Sequence, residues 1–284
     1  MRVLVTGGKG MLGVDVCAEF ARLNHEVIPV TSGHFDIGDT DGTLRSIREI
    51  RPDIVVHTAA YTDVDGCERL PDIAYRVNAL GTWNVAAAAA SVGAAIVVIS
   101  TDFVFDGKKA SPYTEFDAVN PLGVYGATKL QGERLATEVC AKHYIVRTSW
   151  LYGEHGKCFP RTMLDLAETR NELSVVSDQT GTPTFTKDLA VALADLIKTP
   201  LYGTYHLANS GQTTWHGFAK ATLSAAGKGH VNVKPIRSED WPSPTRRPSY
   251  SVLRGYVREL QGKGMMRSWE EALADYIEAV TAKP

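Results

Sequence analysis

The first half of this chain alternates short apolar runs with segments of helical periodicity. Arg2-Val3-Leu4-Val5-Thr6 reads as a buried strand, and Gly7 to Gly13 lead from it into an apolar-periodic helix that runs through Phe20. Further strands are expected at 26–30, 53–57, 94–99 and 144–150, with an alanine-rich helical segment from 74 to 92. Alternation of this kind over about 150 residues predicts an α/β fold, a doubly wound, parallel, Rossmann-like sheet whose ligands lie beyond the carboxyl ends of the strands.

Beyond residue 150 the pattern breaks into shorter pieces. Strands are expected at 173–176 and 203–207, and helices near 160–170, 187–198, 215–226 and 268–281. The proline-rich run 235–248 reads as a long loop. The division that follows is a dinucleotide-binding domain over 1–150 and a smaller, interleaved, mainly substrate-binding domain over 151–284. Segments near 174–178 and 203–208 are expected to return to the sheet. No internal repeat or low-complexity tract is present.

Composition narrows the classes of function. With 30 basic and 32 acidic residues the formal net charge is -2, and no block of like charge follows a nucleic acid backbone or an anionic membrane. Cys17, Cys67, Cys140 and Cys158 are far apart and form no Cys-x-x-Cys, and the eight histidines lack metal-ligand spacing. Reduced thiols fit, and with no leader-like N-terminus and no apolar stretch long enough to span a bilayer the expectation is a cytoplasmic protein without membrane or nucleic-acid partners.

The candidate chemistry lies in four places. Gly7, Gly10 and Gly13 follow the first strand, where glycines permit a tight turn and close backbone approach to a pyrophosphate held at a helix N-terminus. Their three-residue spacing differs from Gly-x-Gly-x-x-Gly, and taken alone they also suit a plain turn. After the second strand, Thr31-Ser32-Gly33 offers neither the acid that binds a ribose 2′-hydroxyl nor an arginine for a 2′-phosphate. Cofactor choice therefore stays open with a lean to NADPH, with NADH possible, and Asp36-Ile37 lies close enough to reach the adenosine.

The third place is the strand end Thr101-Asp102, which suits either a ligand or a turn cap. His57, with no nucleophile beside it, reads as a hydrogen-bonded structural histidine. The fourth is Tyr125-x-x-x-Lys129. With Asn120 as N-cap and Pro121 in the first turn, a helix carries both on one face. An adjacent ammonium and a cationic cofactor ring would favour the phenolate and make Tyr125 a usable proton donor.

These motifs together resemble the extended short-chain dehydrogenase/reductase superfamily. Ser100 to Gly107, Arg147 to Gly153, Asp178 to Thr184 and Arg247 to Leu253 extend the resemblance to its dTDP-4-dehydrorhamnose reductases over nearly the whole chain. The resemblance implies Thr101, Tyr125 and Lys129 as catalytic residues. It implies cofactor contacts at Gly10, Met11, Leu12, Asp36, Ile37, Ala60, Tyr61 and Thr62, and substrate contacts at Val64, Thr101, Asp102 and Trp150. The implied reaction is hydride transfer to C4 of a 4-keto-6-deoxy nucleotide sugar, with dTDP-L-rhamnose as product. Trp150 follows a strand end, where a flat ring would cover the sugar, although a core role also fits. Gln179 to Thr184, Arg246 and Arg247 are further candidates for the base and phosphates. Some members dimerise through magnesium held by glutamates, but Asp15 stands at that helix position, so magnesium is doubtful and monomer or homodimer stays open. The rival expectations are a sugar-nucleotide epimerase and a non-catalytic regulator resembling the regulatory subunit of methionine adenosyltransferase.

Overall fold

A computed structural model describes residues 1–282; residues 283 and 284 of the expected second domain lie outside the described residues. β1 (Arg2–Thr6), α1 (Met11–Arg22), β2 (Glu26–Val30), α2 (Thr40–Ile50) and β3 (Ile54–His57) form the first turns of the alternating pattern. α3 (Val64–Arg69), α4 (Pro71–Ala74), a π-helical segment Tyr75–Gly81 and α5 (Thr82–Ser91) then lead to β4 (Ala95–Thr101), α6 (Val124–Val139) and β5 (His143–Thr148).

The remaining elements are β6 (Leu151–Tyr152), α7 (Phe159–Leu166), β7 (Glu172–Val176), β8 (Thr180–Gly181), β9 (Thr184–Phe185), α8 (Thr186–Leu196) and β10 (Gly203–His206). They are followed by β11 (Thr213–Thr214), α9 (Trp215–Ala225), β12 (Asn232–Ile236), α10 (Tyr256–Leu260) and α11 (Trp269–Thr281).

The main sheet has the order β10-β5-β4-β3-β1-β2 and its pairs are all parallel. Its strands are apolar on both faces because both faces are covered: Val3 and Val5 pack with Phe20 and Leu193, while Leu4 packs with Val85 and Ala89 on the other side. The chain reverses direction across the sheet between β1, which feeds β2 on one flank, and β3 on the other. A ligand crevice opens beyond the carboxyl ends at such a switch point.

A second core gathers Tyr152, Phe185, Phe218, Trp269 and Tyr276 beneath the C-terminal half. Here two expectations are corrected. β10 joins the main sheet beside β5, but β7 does not return to it; β7 pairs in register with β12, Leu173 opposite Val233. β12 also takes the start of the stretch expected to be a loop, through Pro235 and Ile236. Its residues are mostly exposed and contain a proline, so no local apolar run announces the strand, and only pairing along β7 orders it.

The start of α6 is also corrected. Asn120 is not its cap and Pro121 is not in its first turn: Asn120 donates to Asp106 Oδ2 at 3.1 Å, and the helix begins at Val124 after Gly123. The Val124 N–H is satisfied instead by Glu68 Oε1, 2.7 Å away on α3. A carboxylate brought from 56 residues upstream thus does the work that a local cap would do, and its charge suits a helix N-terminus. Among the described residues no helix is long and apolar enough to cross a membrane.

Candidate active site

A cleft of about 850 Å3 runs along the carboxyl ends of β1 to β5 and on to the aromatic residues of the second core. At one end is the loop between β1 and α1. Gly7 has φ +69°, and a Cβ there would sit 2.8 Å from the Ala59 nitrogen; a Cβ on Gly13 would press into the Gly7 carbonyl. Side chains at these positions would force β1, β3 and α1 apart. Gly10 caps α1 without a side-chain bond, and the first turn of α1 holds no acid, so its leading N–H groups are left for an anion. The residues present fit a dinucleotide pyrophosphate.

Gly7, Gly10, Met11, Leu12 and Gly13 all line the cleft, as do Ala60 and Thr62 at the end of β3. Tyr61 does not. Its backbone N–H and carbonyl are held by the Asn78 side chain at 2.8 and 3.0 Å, so Tyr61 is part of the wall's scaffolding. Asn78 lies in the π-helical segment and also donates to Thr128 Oγ1 on α6, which links that wall to the helix carrying Tyr125.

Towards the adenosine end the lining includes Thr31, Ser32, Asp36 and Ile37. Asp36 is paired with Arg76 at 2.5 Å, both side chains about half exposed. His57 stays out of the cleft, buried between the hydroxyls of Thr6 (2.7 Å) and Thr82 (3.2 Å), and burial lowers its pKa to about 3. It is a neutral structural histidine, as its sequence context suggests.

Thr101, Asp102, Tyr125 and Lys129 converge on the middle of the cleft. Thr101 ends β4 and Tyr125 lies in the first turn of α6. A Cβ on Gly126 would run into the Phe103 carbonyl, so that glycine lets the helix lie against the turn after β4. Burial holds the Tyr125 phenol above its usual range, partly offset by the Thr101 hydroxyl and reinforced by Asp102 and Cys67. Without a cofactor ring beside it, desolvation dominates and Tyr125 is a neutral phenol, the form that donates a proton. Lys129 is buried, which lowers its pKa to about 8, while Glu133 one turn on pushes the other way. Asp102 is raised to about 6 by burial and has one oxygen without a protein partner.

Behind Lys129, Glu133 binds Arg147 at 2.7 Å in a buried pair and accepts a bond from the Ser100 hydroxyl. Ser100 precedes Thr101 on β4 and is directly opposite Arg147 on β5. One carboxylate therefore ties α6 to the two strands beside it. The helical spacing from Tyr125 to Lys129 continues to Glu133, which was the available signal for this residue in the sequence.

The far end of the cleft is lined by Val64, Trp150, Trp215 and Arg247. Arg247 is held by Asp65 at 3.0 Å and by Ser243 at 2.6 Å. Of the other candidates for the base and phosphates, Gln179 is turned away to Ser238, and neither Arg246 nor the 179–184 turn is among the lining residues. Trp150 is present but differently placed than expected. Its ring stacks on Trp215 with centroids 3.7 Å apart and planes 8° from parallel. A Cβ on Gly181 would lie 2.5 Å from Trp150 Cε2, with Nε1 and Cζ2 farther at 2.7 and 2.6 Å, which places Gly181 over the ring rather than at its edge. Both faces of Trp150 are covered, so the flat surface expected for the sugar is not offered by this ring. Trp215 had no signal of its own, since it sits 65 residues away at the start of a helix.

Asp15, at the helix position where the resemblance would place a magnesium ligand, is buried beside the Thr186 hydroxyl, with His155 Nε2 at 3.7 Å and the Lys187 ammonium and Glu154 carboxylate nearby. Among the described residues no group of three or more His, Cys, Asp and Glu side chains is arranged to hold a metal ion.

Comparison with known proteins agrees with this geometry. The chain is 42% identical over 278 residues to the spore coat polysaccharide biosynthesis protein SpsK of Bacillus subtilis, covering 98% of this chain and 97% of that protein. It is 39% identical to the dTDP-4-dehydrorhamnose reductase of Escherichia coli, covering 89% of each. Among solved structures, a dTDP-4-dehydrorhamnose reductase from Clostridium acetobutylicum matches with TM-score 0.96 and 45% identity over 99% of this chain and 100% of that one. The Bacillus anthracis reductase, solved in complex with NADP, matches with TM-score 0.94 and 42% identity over 98% and 99%. The family model described as the RmlD substrate binding domain matches residues 1–282, and the chain belongs to that family.

Proposed function

We propose that this protein is an NAD(P)H-dependent reductase that converts dTDP-4-dehydro-L-rhamnose to dTDP-L-rhamnose. The observation that carries this is the convergence of Thr101, Tyr125 and Lys129 on a cleft whose other end is the uncapped, glycine-lined start of α1. A dinucleotide held there supplies the hydride. Tyr125, kept neutral by burial, donates its phenolic proton to the oxygen of the C4 carbonyl as negative charge develops on it. Lys129 steadies the resulting phenolate, and the Thr101 hydroxyl orients the carbonyl oxygen. Each of these groups acts where charge appears in the reaction.

The wall formed by Thr31 and Ser32 carries no acid, so a 2′-phosphate meets no repulsion from these two residues. NADPH is the preferred cofactor and NADH a usable one. Val64, Asp102 and Trp150 line the part of the cleft beyond the trio, where the sugar nucleotide binds. The test is a turnover assay with each cofactor and with the dTDP, UDP and GDP forms of the keto sugar. The dTDP form is expected to be at least about tenfold better in kcat/KM, since desolvated hydrogen bonds to a base discriminate at that level or above. Equal rates with the three bases overturn dTDP specificity. NADPH binding without turnover of any of them overturns the reductase and favours a regulatory role.

A further inference from the structure

We propose that Trp215 is a positioning residue for the sugar: its stack holds Trp150 edge-on to the cleft, so that the indole N–H of Trp150, rather than a ring face, meets the substrate. This rests on the assignment of the sugar to that end of the cleft. With Gly181 over one face and Trp215 3.7 Å from the other, only the rim of Trp150 is free. Its Nε1 donates to no group among the described residues and is not one of the buried orphaned atoms, and Trp150 is one of the residues that line the cleft.

Both partners are held against sliding. Trp150 has φ +45°, a conformation that costs a bulky residue energy and persists where the surroundings impose it. Its carbonyl accepts from Thr184 N–H at 3.2 Å, and Ser149 before it donates to the Thr182 carbonyl at 2.7 Å. Trp215 opens α9, whose cap Thr214 accepts from Gly217 N–H at 3.0 Å. Its ring is wedged against Phe159, 4.7 Å away at 56°, and more loosely against Phe218. The second core thus reaches through Trp215 to fix the angle at which Trp150 faces the sugar.

The experiment compares wild type with W215A, W215F and W150F by steady-state kinetics on dTDP-4-dehydro-L-rhamnose and by NADPH titration. W215A is expected to raise the KM for the sugar about tenfold, the effect of losing one well-placed hydrogen bond, while the NADPH Kd moves by less than about twofold. W215F, which keeps an aromatic face, recovers most of the loss. W150F keeps a stack but has no N–H, and raises the KM by a similar factor. A W150F enzyme with wild-type KM overturns the edge contact, and a W215A enzyme with unchanged KM, or with NADPH affinity lost in equal measure, overturns the positioning role. Wild-type protein that binds NADPH but neither binds nor reduces the sugar overturns the reductase assignment and this proposal together.

Discussion

The two ends of the cleft are walled by different materials. At the cofactor end the wall is backbone: Gly7, Gly10 and Gly13 line the cavity, and the missing Cβ atoms let the main chain of β1, α1 and the turn after β3 pack closely there. At the proposed sugar end the wall is side chain: Trp150, Trp215 and Arg247 come from three separated segments, the two rings stacked on each other and the guanidinium held by Asp65 and Ser243. A backbone wall recognises what every dinucleotide shares. A side-chain wall can tell one sugar nucleotide from another, and its shape is set by packing between segments distant in sequence.

The largest expected effect lies between the two ends and belongs to neither. Tyr125→Phe removes the proton donor and keeps the ring, including its edge contact with Phe103, so kcat should fall about 10² to 10⁴-fold with NADPH affinity and melting temperature nearly unchanged. A variant retaining more than about a tenth of wild-type kcat shows that another group supplies the proton.

Next is a matched pair of glycines. A Cβ on Gly13 meets the backbone of Gly7, so Gly13→Ala should destabilise the fold by about 1–3 kcal/mol and weaken NADPH binding. The three atoms nearest a Cβ on Gly181 all belong to the Trp150 ring, so Gly181→Ala should leave NADPH affinity intact and raise the KM for the sugar. Thermal melts, cofactor titration and kinetics on both variants check the contrast. If both change the same parameter, the two walls are not independent.

The pH dependence sharpens the middle ground. Lys129 titrates near 8 in the folded protein against an ordinary 10.5, so kcat/KM should fall with an alkaline limb near pH 8 as its charge is lost. Glu133→Gln removes the group that favours the ammonium, and the limb should move to lower pH. In stability the sign is opposite. Between about pH 8 and 10.5 the unfolded chain binds the proton more tightly, so the contribution of Lys129 to stability rises with pH through that window and is lost as pH falls through 8. Lys129→Met should abolish that slope in melts across the window.

The smallest effect is Ser32→Asp, which adds an acid to the cleft wall where a ribose 2′-position would lie and should shift the NADPH to NADH ratio of kcat/KM towards NADH without altering kcat. An unchanged ratio shows that Ser32 does not face the ribose.

What was legible in the sequence was local or periodic. The strands of the main sheet announce themselves because burial on both faces demands unbroken apolar runs, and the glycines after β1 and the Tyr125 to Lys129 spacing each encode their geometry within a few residues. The alternation predicts a parallel, doubly wound sheet, but its strand order and the meeting of Thr101, Tyr125 and Lys129 along one cleft are read from the folded chain. What only the tertiary structure decided were partnerships across long separations. Glu68 caps α6 in place of Asn120 because a carboxylate on α3 reaches the Val124 N–H. β7 leaves the main sheet because β12, whose mostly exposed residues carry no periodic signal, offers it a parallel edge. Trp150 shows the cleft an edge because Trp215 and Gly181 occupy its faces. A residue's type and its neighbours in the chain state what it can bond; which of several such groups arrives first at hydrogen-bonding or stacking distance is settled by the packing of the whole chain.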